Sequence, residues 1–236
     1  INIRQCSNGA ACTAADFTGA PTIGYTQTSG DESLIDAPWL LDPALTSNLI
    51  AGTCRVWRGP AADGSSWSVS NAISNLLGGP QNAACSSNNP VIRSLAAGGP
   101  LSSATAAQNA GSQVLYAGMA GALDGGGSLG GHIFTTTSAG TATNTTAWTD
   151  LTSSPVTNDA SDAEQFNPGG FDISSITADP HDPTGQTVYT TVMGFTNNGI
   201  NAPHLYRSTD GGAHWLNISA NLPNAPANSL VVDPND

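Results

Sequence analysis

The sequence contains no lysine. Five arginines carry its fixed positive charge against seventeen acidic residues, a formal net charge of −12 over 236 residues. Phosphate backbones are held by clustered cations and anionic lipid surfaces by polybasic segments, so this balance excludes nucleic acid and membrane surfaces as partners. Long apolar runs are missing too: the longest are a few residues, against the roughly 20 that a membrane-spanning helix needs. No stretch sustains a helical period, which excludes a helical domain. Charged residues are scarce at 9%, so solubility rests on Ser, Thr, Asn and Gly, a surface that suits an extracellular or cell-surface protein. The chain starts at Ile1 without a signal peptide and reads as a mature or internal segment of a longer precursor.

There is no Cys-x-x-Cys spacing, and no histidine stands at ligand spacing from a cysteine, which argues against zinc. The four cysteines, Cys6, Cys12, Cys54 and Cys85, are an even set in a secretory-looking chain. They are read as disulfides with three open connectivities. Cys6–Cys12 and Cys54–Cys85 are preferred because each closes a local loop.

What is present is a repeat. Residues 1–36 are a loop-rich segment that joins it. Trp39-Leu-Leu-Asp42-Pro43 leads to Asn48–Thr53, then Arg55-Val-Trp57-Arg58, then Asp63-Gly-Ser-Ser-Trp67. The same order recurs in Ile176-Thr-Ala-Asp179-Pro180, Gln186–Val192, Leu205-Tyr-Arg207 and Asp210-Gly-Gly-Ala-His-Trp215. A looser copy without Asp-Pro runs from Val91 to Leu151, with Gly/Ser/Ala tracts at about 97–112 and 121–131 read as loop insertions. A further start, Leu230-Val-Val-Asp233-Pro234, lies 54 residues after Asp179-Pro180. Asp-Pro ends a strand cleanly, since proline donates nothing to a ladder and restricts the residue before it. Four short strand signals per repeat of about 40–55 residues indicate propeller blades. The expectation is an all-β fold of four-stranded antiparallel blades over 37–236. Blades are placed near 37–72, 91–152 and 172–220, with a first strand of another at 228–236, so the chain reads as an incomplete portion of a larger propeller.

The most specific stretch is Ser208-x-Asp210-x-Gly212-x-x-Trp215. Asp210 can accept N–H groups of its own turn, the glycine pair supplies positive φ, and Trp215 has a large apolar body to bury. This pattern resembles the Asp-box, or bacterial neuraminidase repeat, of sialidase-, xyloglucanase- and sortilin-like propellers. The resemblance implies that Asp210 is a peripheral turn device rather than a catalytic group. The sialidase Arg-Ile-Pro start is absent, and Glu32 and Glu164 are the only glutamates, so a complete sialidase site is not expected.

Paired carboxylates would serve glycoside hydrolysis. The weak catalytic candidates are Asp31, Glu32 and Asp36 before the first blade, and Asp162, Glu164 and Asp172 before the third. Solvated loop acids and turn caps are the plainer account of both clusters. No cofactor is implied, calcium in the 159–172 loop aside, and no EF-hand pattern supports that. Trp67, Trp148 and Trp215 recur at one point of the repeat and are assigned to interblade packing. Trp39 and Trp57 are the candidates for stacking on a ligand. Three functions compete: a non-catalytic module binding glycan or extracellular protein, a polysaccharide-active glycoside hydrolase whose site is only partly here, and a surface-layer or filament subunit completed by further blades or copies of itself.

Overall fold

The computed structural model describes residues 9–16, 31, 33–62, 67–79, 90–121, 129–158, 166–196 and 203–235. These residues form three antiparallel sheets and only short 3-10 turns. Sheet 1 is β1 (Trp39–Leu41), β2 (Asn48–Gly52) and β3 (Val56–Pro60), with Ala72 bridged to Trp57 at its outer edge. Sheet 2 is β4 (Ile92–Leu101), β5 (Ser112–Met119), β6 (Ile133–Thr136) and β7 (Thr149–Asp150). Sheet 3 is β8 (Ile173–Ala178), β9 (Val188–Val192), β10 (Leu205–Ser208) and β11 (Leu216–Asn217).

The sheets stack face to face because their strands alternate, with successive side chains pointing to opposite faces. Along β5, Leu115, Ala117 and Met119 join Ile50 and Val56 of sheet 1 in one core, while Val114 and Tyr116 join Ile173 and Val188 of sheet 3 in another. The face toward the preceding sheet is termed leading, and that toward the following sheet trailing. The leading face of sheet 1 is closed by Trp67, Ala61 and Ala72 over Leu49, Ala51 and Trp57. The described residues form a stack of three sheets rather than a closed ring.

Internal repetition extends to fine geometry. The first strands of sheets 2 and 3 carry a register shift at the same point, between Ile92 and Ser94 and between Ile173 and Ser175. After sheets 1 and 3 begin, the Asp-Pro turns close alike: Asp42 Oδ1 accepts from Ala44 N at 3.0 Å and Asp179 Oδ1 from His181 N at 2.9 Å. Pairing of Leu41 with Leu49, Ala97 with Leu115 and Ala178 with Val188 puts Gly98 where the other sheets have aspartate. A Cβ at Gly98 would press on Ala178 and Gly185, and Gly99 has a φ of +76°. The Gly/Ser/Ala tract from residue 97 is therefore not wholly loop. β4 runs on through a bulge to Leu101, which pairs with Ser112.

The 228–233 segment, expected as a strand, forms none. A strand needs a neighbouring ladder, and this segment meets sheet 3 through isolated bonds instead: Ala227 N donates to Val192 O at 3.3 Å, Ser174 Oγ to Ala227 O at 2.5 Å and Thr177 Oγ to Leu230 O at 3.0 Å. Cys12 and Cys54 are each disulfide-bonded; Cys6 and Cys85 lie outside the described residues, so the preferred pairing stays an expectation from the sequence.

Candidate functional site

The turn after β10 closes on its own side chains. Ser208 Oγ donates to Asp210 Oδ1 at 2.8 Å and accepts from Gly212 N at 2.8 Å, while Asp210 Oδ1 accepts from His214 N at 3.0 Å. Gly211 and Gly212 have φ of +74° and +90°, which glycine adopts without steric cost. Trp215 is buried, stacked on Phe166 at 4.9 Å, and its main-chain N donates to Pro155 O at 2.9 Å, which ties sheet 3 to the chain leaving sheet 2. Both carboxylate oxygens of Asp210 are engaged within the turn, Oδ2 by His214 Nδ1 at 2.6 Å, which is the part of a turn device. Sheet 2 has a counterpart that sequence reading missed: Ser138 N donates to Thr136 Oγ1 at 3.2 Å as Asp210 N does to Ser208 Oγ at 3.3 Å. Serine replaces aspartate there, and a longer segment precedes Trp148, whose Nε1 reaches back to Ile73 O at 3.0 Å.

The opposite end of the sheets, where the first and third strands begin, carries a second set of ionisable groups. The residue immediately before each third strand is Arg55, His132 or His204. Arg55 Nε lies 2.9 Å from Asp31 Oδ2, with both side chains no more than 4% exposed. Burial pushes the Asp31 carboxyl above its ordinary range, against the neighbouring Arg55 charge. Asp172, at the start of β8, is buried 3.5 Å from Arg93 and also accepts the Gly121 N–H. Asp36 is exposed. Glu32, Asp162 and Glu164 lie outside the described residues, as do residues 159–165 of the loop proposed for calcium. Among the described residues no group of three His, Cys, Asp or Glu is placed to hold a metal, and no helix is long and apolar enough to cross a membrane.

Of the two tryptophans assigned to ligand stacking, Trp39 is 53% exposed on β1. Trp57 is 0% exposed, with its Nε1 donating to Thr53 Oγ1 at 2.9 Å, so it presents no ring face and the expectation is corrected. The repeat carried the signal: Trp57, Phe134 and Tyr206 occupy one register position, and all three are buried.

One open cleft lies at this end, between sheets 2 and 3. Its volume is about 500 Å³, and its lining includes Gly130, His132, Asp150, Thr152, Ser153 and Asn167. His132 Nδ1 lies 2.8 Å from Asp150 Oδ2; a carboxylate only accepts, so Nδ1 carries the hydrogen and Nε2 is left for a ligand. Asp150 Oδ1 accepts from Thr152 N at 2.9 Å. Burial raises this carboxyl, but the bonds from His132 and Thr152 outweigh it and hold Asp150 below its ordinary range. Thr152 Oγ1 is buried without a hydrogen-bond partner. The rim is hydrogen-bonded: Asn167 sits at a φ of +43°, its Nδ2 donating to Gly131 O at 3.1 Å and Phe171 O at 2.8 Å. No sequence motif marks this pair, because His132 and Asp150 meet only through the pairing of Phe134 with Asp150 across β6 and β7.

No family model matches the chain, and no curated protein does. Solved structures that resemble it include an ancestral GH74 enzyme, at 18% identity and a TM-score of 0.37, over 76% of this chain and 18% of that one. The GH74 xyloglucanase from Xanthomonas campestris is 19% identical with a TM-score of 0.38, over 75% of this chain and 20% of its own. A GH74 enzyme from Niastella koreensis is 16% identical with a TM-score of 0.37, over 77% of this chain and 22% of its own. The chain spans about a fifth of the length of these proteins. Likeness at this level leaves the site to be read from its own residues.

Proposed function

We propose that the three sheets are blades of an extracellular β-propeller and that the module binds neutral glycans, without cleaving them, at the His132–Asp150 cleft. The observation that carries this reading is the contrast between buried and open polar groups. Glycoside hydrolysis needs two carboxyl groups facing a scissile bond at separations of about 5–9.5 Å. Of the described candidates Asp31, Asp36 and Asp172, two, Asp31 and Asp172, are instead buried against Arg55 and Arg93. The open cleft offers a carboxylate, an imidazole and the Ser153 hydroxyl, a donor and acceptor mixture suited to a polyhydroxylated ligand. A chain of net charge −12 repels anionic ligands, which favours neutral ones. Sheets stacked face to face and joined by hairpins are the unit that propellers repeat radially.

Titration calorimetry against a panel of neutral polysaccharides, with a reducing-end assay on the same mixtures, tests the proposal. Binding is expected for at least one polysaccharide, lost in His132→Ala and Asp150→Ala proteins that still unfold cooperatively, and without release of reducing ends. Release abolished by Asp31→Asn or Asp172→Asn would overturn the non-catalytic reading, and binding that survives both cleft substitutions would overturn the site.

A further inference from the structure

Each covered interface in the stack uses a long polar side chain from a trailing face to grip main-chain carbonyls of the next sheet. From sheet 1, Arg58 donates to Gln108 O at 2.9 Å, Ser112 O at 2.7 Å and Ala139 O at 2.9 Å, all in sheet 2 or its connections. From sheet 2, Tyr116 OH donates to Gly185 O at 2.9 Å, in the turn entering β9. Ser112 and Gly185 are equivalent, each three residues before the core position filled by Leu115 or Val188.

Sheet 3 carries both devices on one face. Arg207 pairs across from Tyr189 as Arg58 does from Ile50, and Tyr189 holds the register position of Tyr116. The Arg207 guanidinium lies 5.7 Å from the centre of the Tyr189 ring, and its Nε is buried without a hydrogen-bond partner. A buried donor without an acceptor is costly; at the equivalent position Arg58 finds its acceptors in the following sheet.

The chain after sheet 3 is already seated where a following sheet would begin. Ser94 Oγ donates to Ile173 O at 2.7 Å between sheets 2 and 3, and Ser174 Oγ to Ala227 O at 2.5 Å beyond sheet 3. Ala227 stands 54 residues after Ile173, the spacing between the Asp-Pro pairs. Asp233 Oδ1 accepts from Asn235 N at 2.9 Å, the turn made by Asp42 and Asp179. Val231 is 86% exposed, and no strand pairs with this segment.

We infer that the trailing face of sheet 3 is the seat of a fourth sheet of the same repeat, in which residues 227–233 are the innermost strand and Arg207 grips the carbonyl at the entry to the second strand. The occupant is a sheet on the same polypeptide rather than a second copy. A second copy would bring its own β1 to the place that 227–233 fills, and the leading face of its sheet 1 is already sealed by Trp67.

Hydroxyl-radical footprinting of the protein isolated from its source, beside the 236-residue chain, tests this, with buried Tyr206 as internal reference. In the isolated chain Tyr189 is expected to oxidise readily at every concentration. In the source protein its oxidation should fall to the level of Tyr206. Equal oxidation of Tyr189 in both proteins would overturn the inference. Protection in the 236-residue chain would also overturn it, since a second copy or the chain itself would then cover the face.

Discussion

Arg58 and Arg207 stand at the same point of the same repeat, and their surroundings differ: among the described residues a sheet packs beyond the first, while only the 227–233 segment lies beyond the second. Arg58 is fully buried, paired with Asp42 at 3.2 Å and bonded to three carbonyls of the next sheet. Arg207 is half-buried, stacked on Tyr189, with Nε unanswered. The repeat therefore writes interface chemistry into each sheet whether or not the neighbour is present. A buried guanidinium and carboxylate are tolerated only when hydrogen bonds replace the water they lose. Asp42 meets that condition by accepting Ser112 N at 2.9 Å and Ser112 Oγ at 2.6 Å as well.

The contrast between covered and uncovered faces predicts a ranking of substitutions. Trp148→Ala, which empties a covered interface and frees the Ile73 carbonyl, should cost about 3–5 kcal/mol in chemical denaturation. Trp39→Ala, at an exposed position, should stay within about 0.5 kcal/mol; a comparable loss would mean that Trp39 packs against something the stack does not show. Next in size is Asp210→Ala, expected to cost about 1–2 kcal/mol by loss of the bonds from Ser208 and His214. Its counterpart Ser138→Ala should cost less, since the side chain of Thr136, rather than of Ser138, holds that turn.

Tyr116→Phe should cost about 1 kcal/mol through the lost bond to Gly185, and Tyr189→Phe less in the 236-residue chain, since its hydroxyl reaches only Asp179 Oδ2, at 3.4 Å. Equal costs would erase the distinction between the two trailing faces. The smallest effect is in pH. Burial lowers the His204 pKa below its ordinary 6.5, so below that pH the unfolded chain binds more protons than the folded one. Its contribution to stability is therefore present above 6.5 and lost as pH falls toward the folded value. A melting-temperature profile should slope downward there, and His204→Gln should flatten it. Asp150 and Asp210, both held below 3.8, lose their contributions at lower pH, as it falls from 3.8 toward their folded values. Asp31, raised by burial, acts in the opposite sense.

The all-β class and the turn devices were legible because they depend on residues acting on their own backbone: Pro after Asp42, Asp179 and Asp233, and glycine at 211 and 212. Sheet 2 was legible only loosely. Gly98 and Gly99 replace Asp-Pro where the Thr184–Gly185 turn presses close, and a rule read from side chains passes over an exchange made to satisfy a neighbouring sheet. Trp57 is only a candidate for ligand stacking by sequence, and its alignment with Phe134 and Tyr206 points to the core position it takes. The His132–Asp150 pair was not legible, because strand register alone brings residues eighteen apart into contact. Interfaces between sheets are likewise invisible until strands are in register, which is why Arg58 and Arg207 stand in the sequence as a recurrence and not as a contact.

Paired denaturation of Arg58→Ala and Arg207→Ala in the 236-residue chain tests the central claim most directly. Arg58→Ala strands the Asp42 carboxylate and should cost about 3–5 kcal/mol, while Arg207→Ala should cost less than about 1 kcal/mol. Similar losses from both would contradict the account, because Arg207 would then already have the partners that, on this reading, only a further sheet provides.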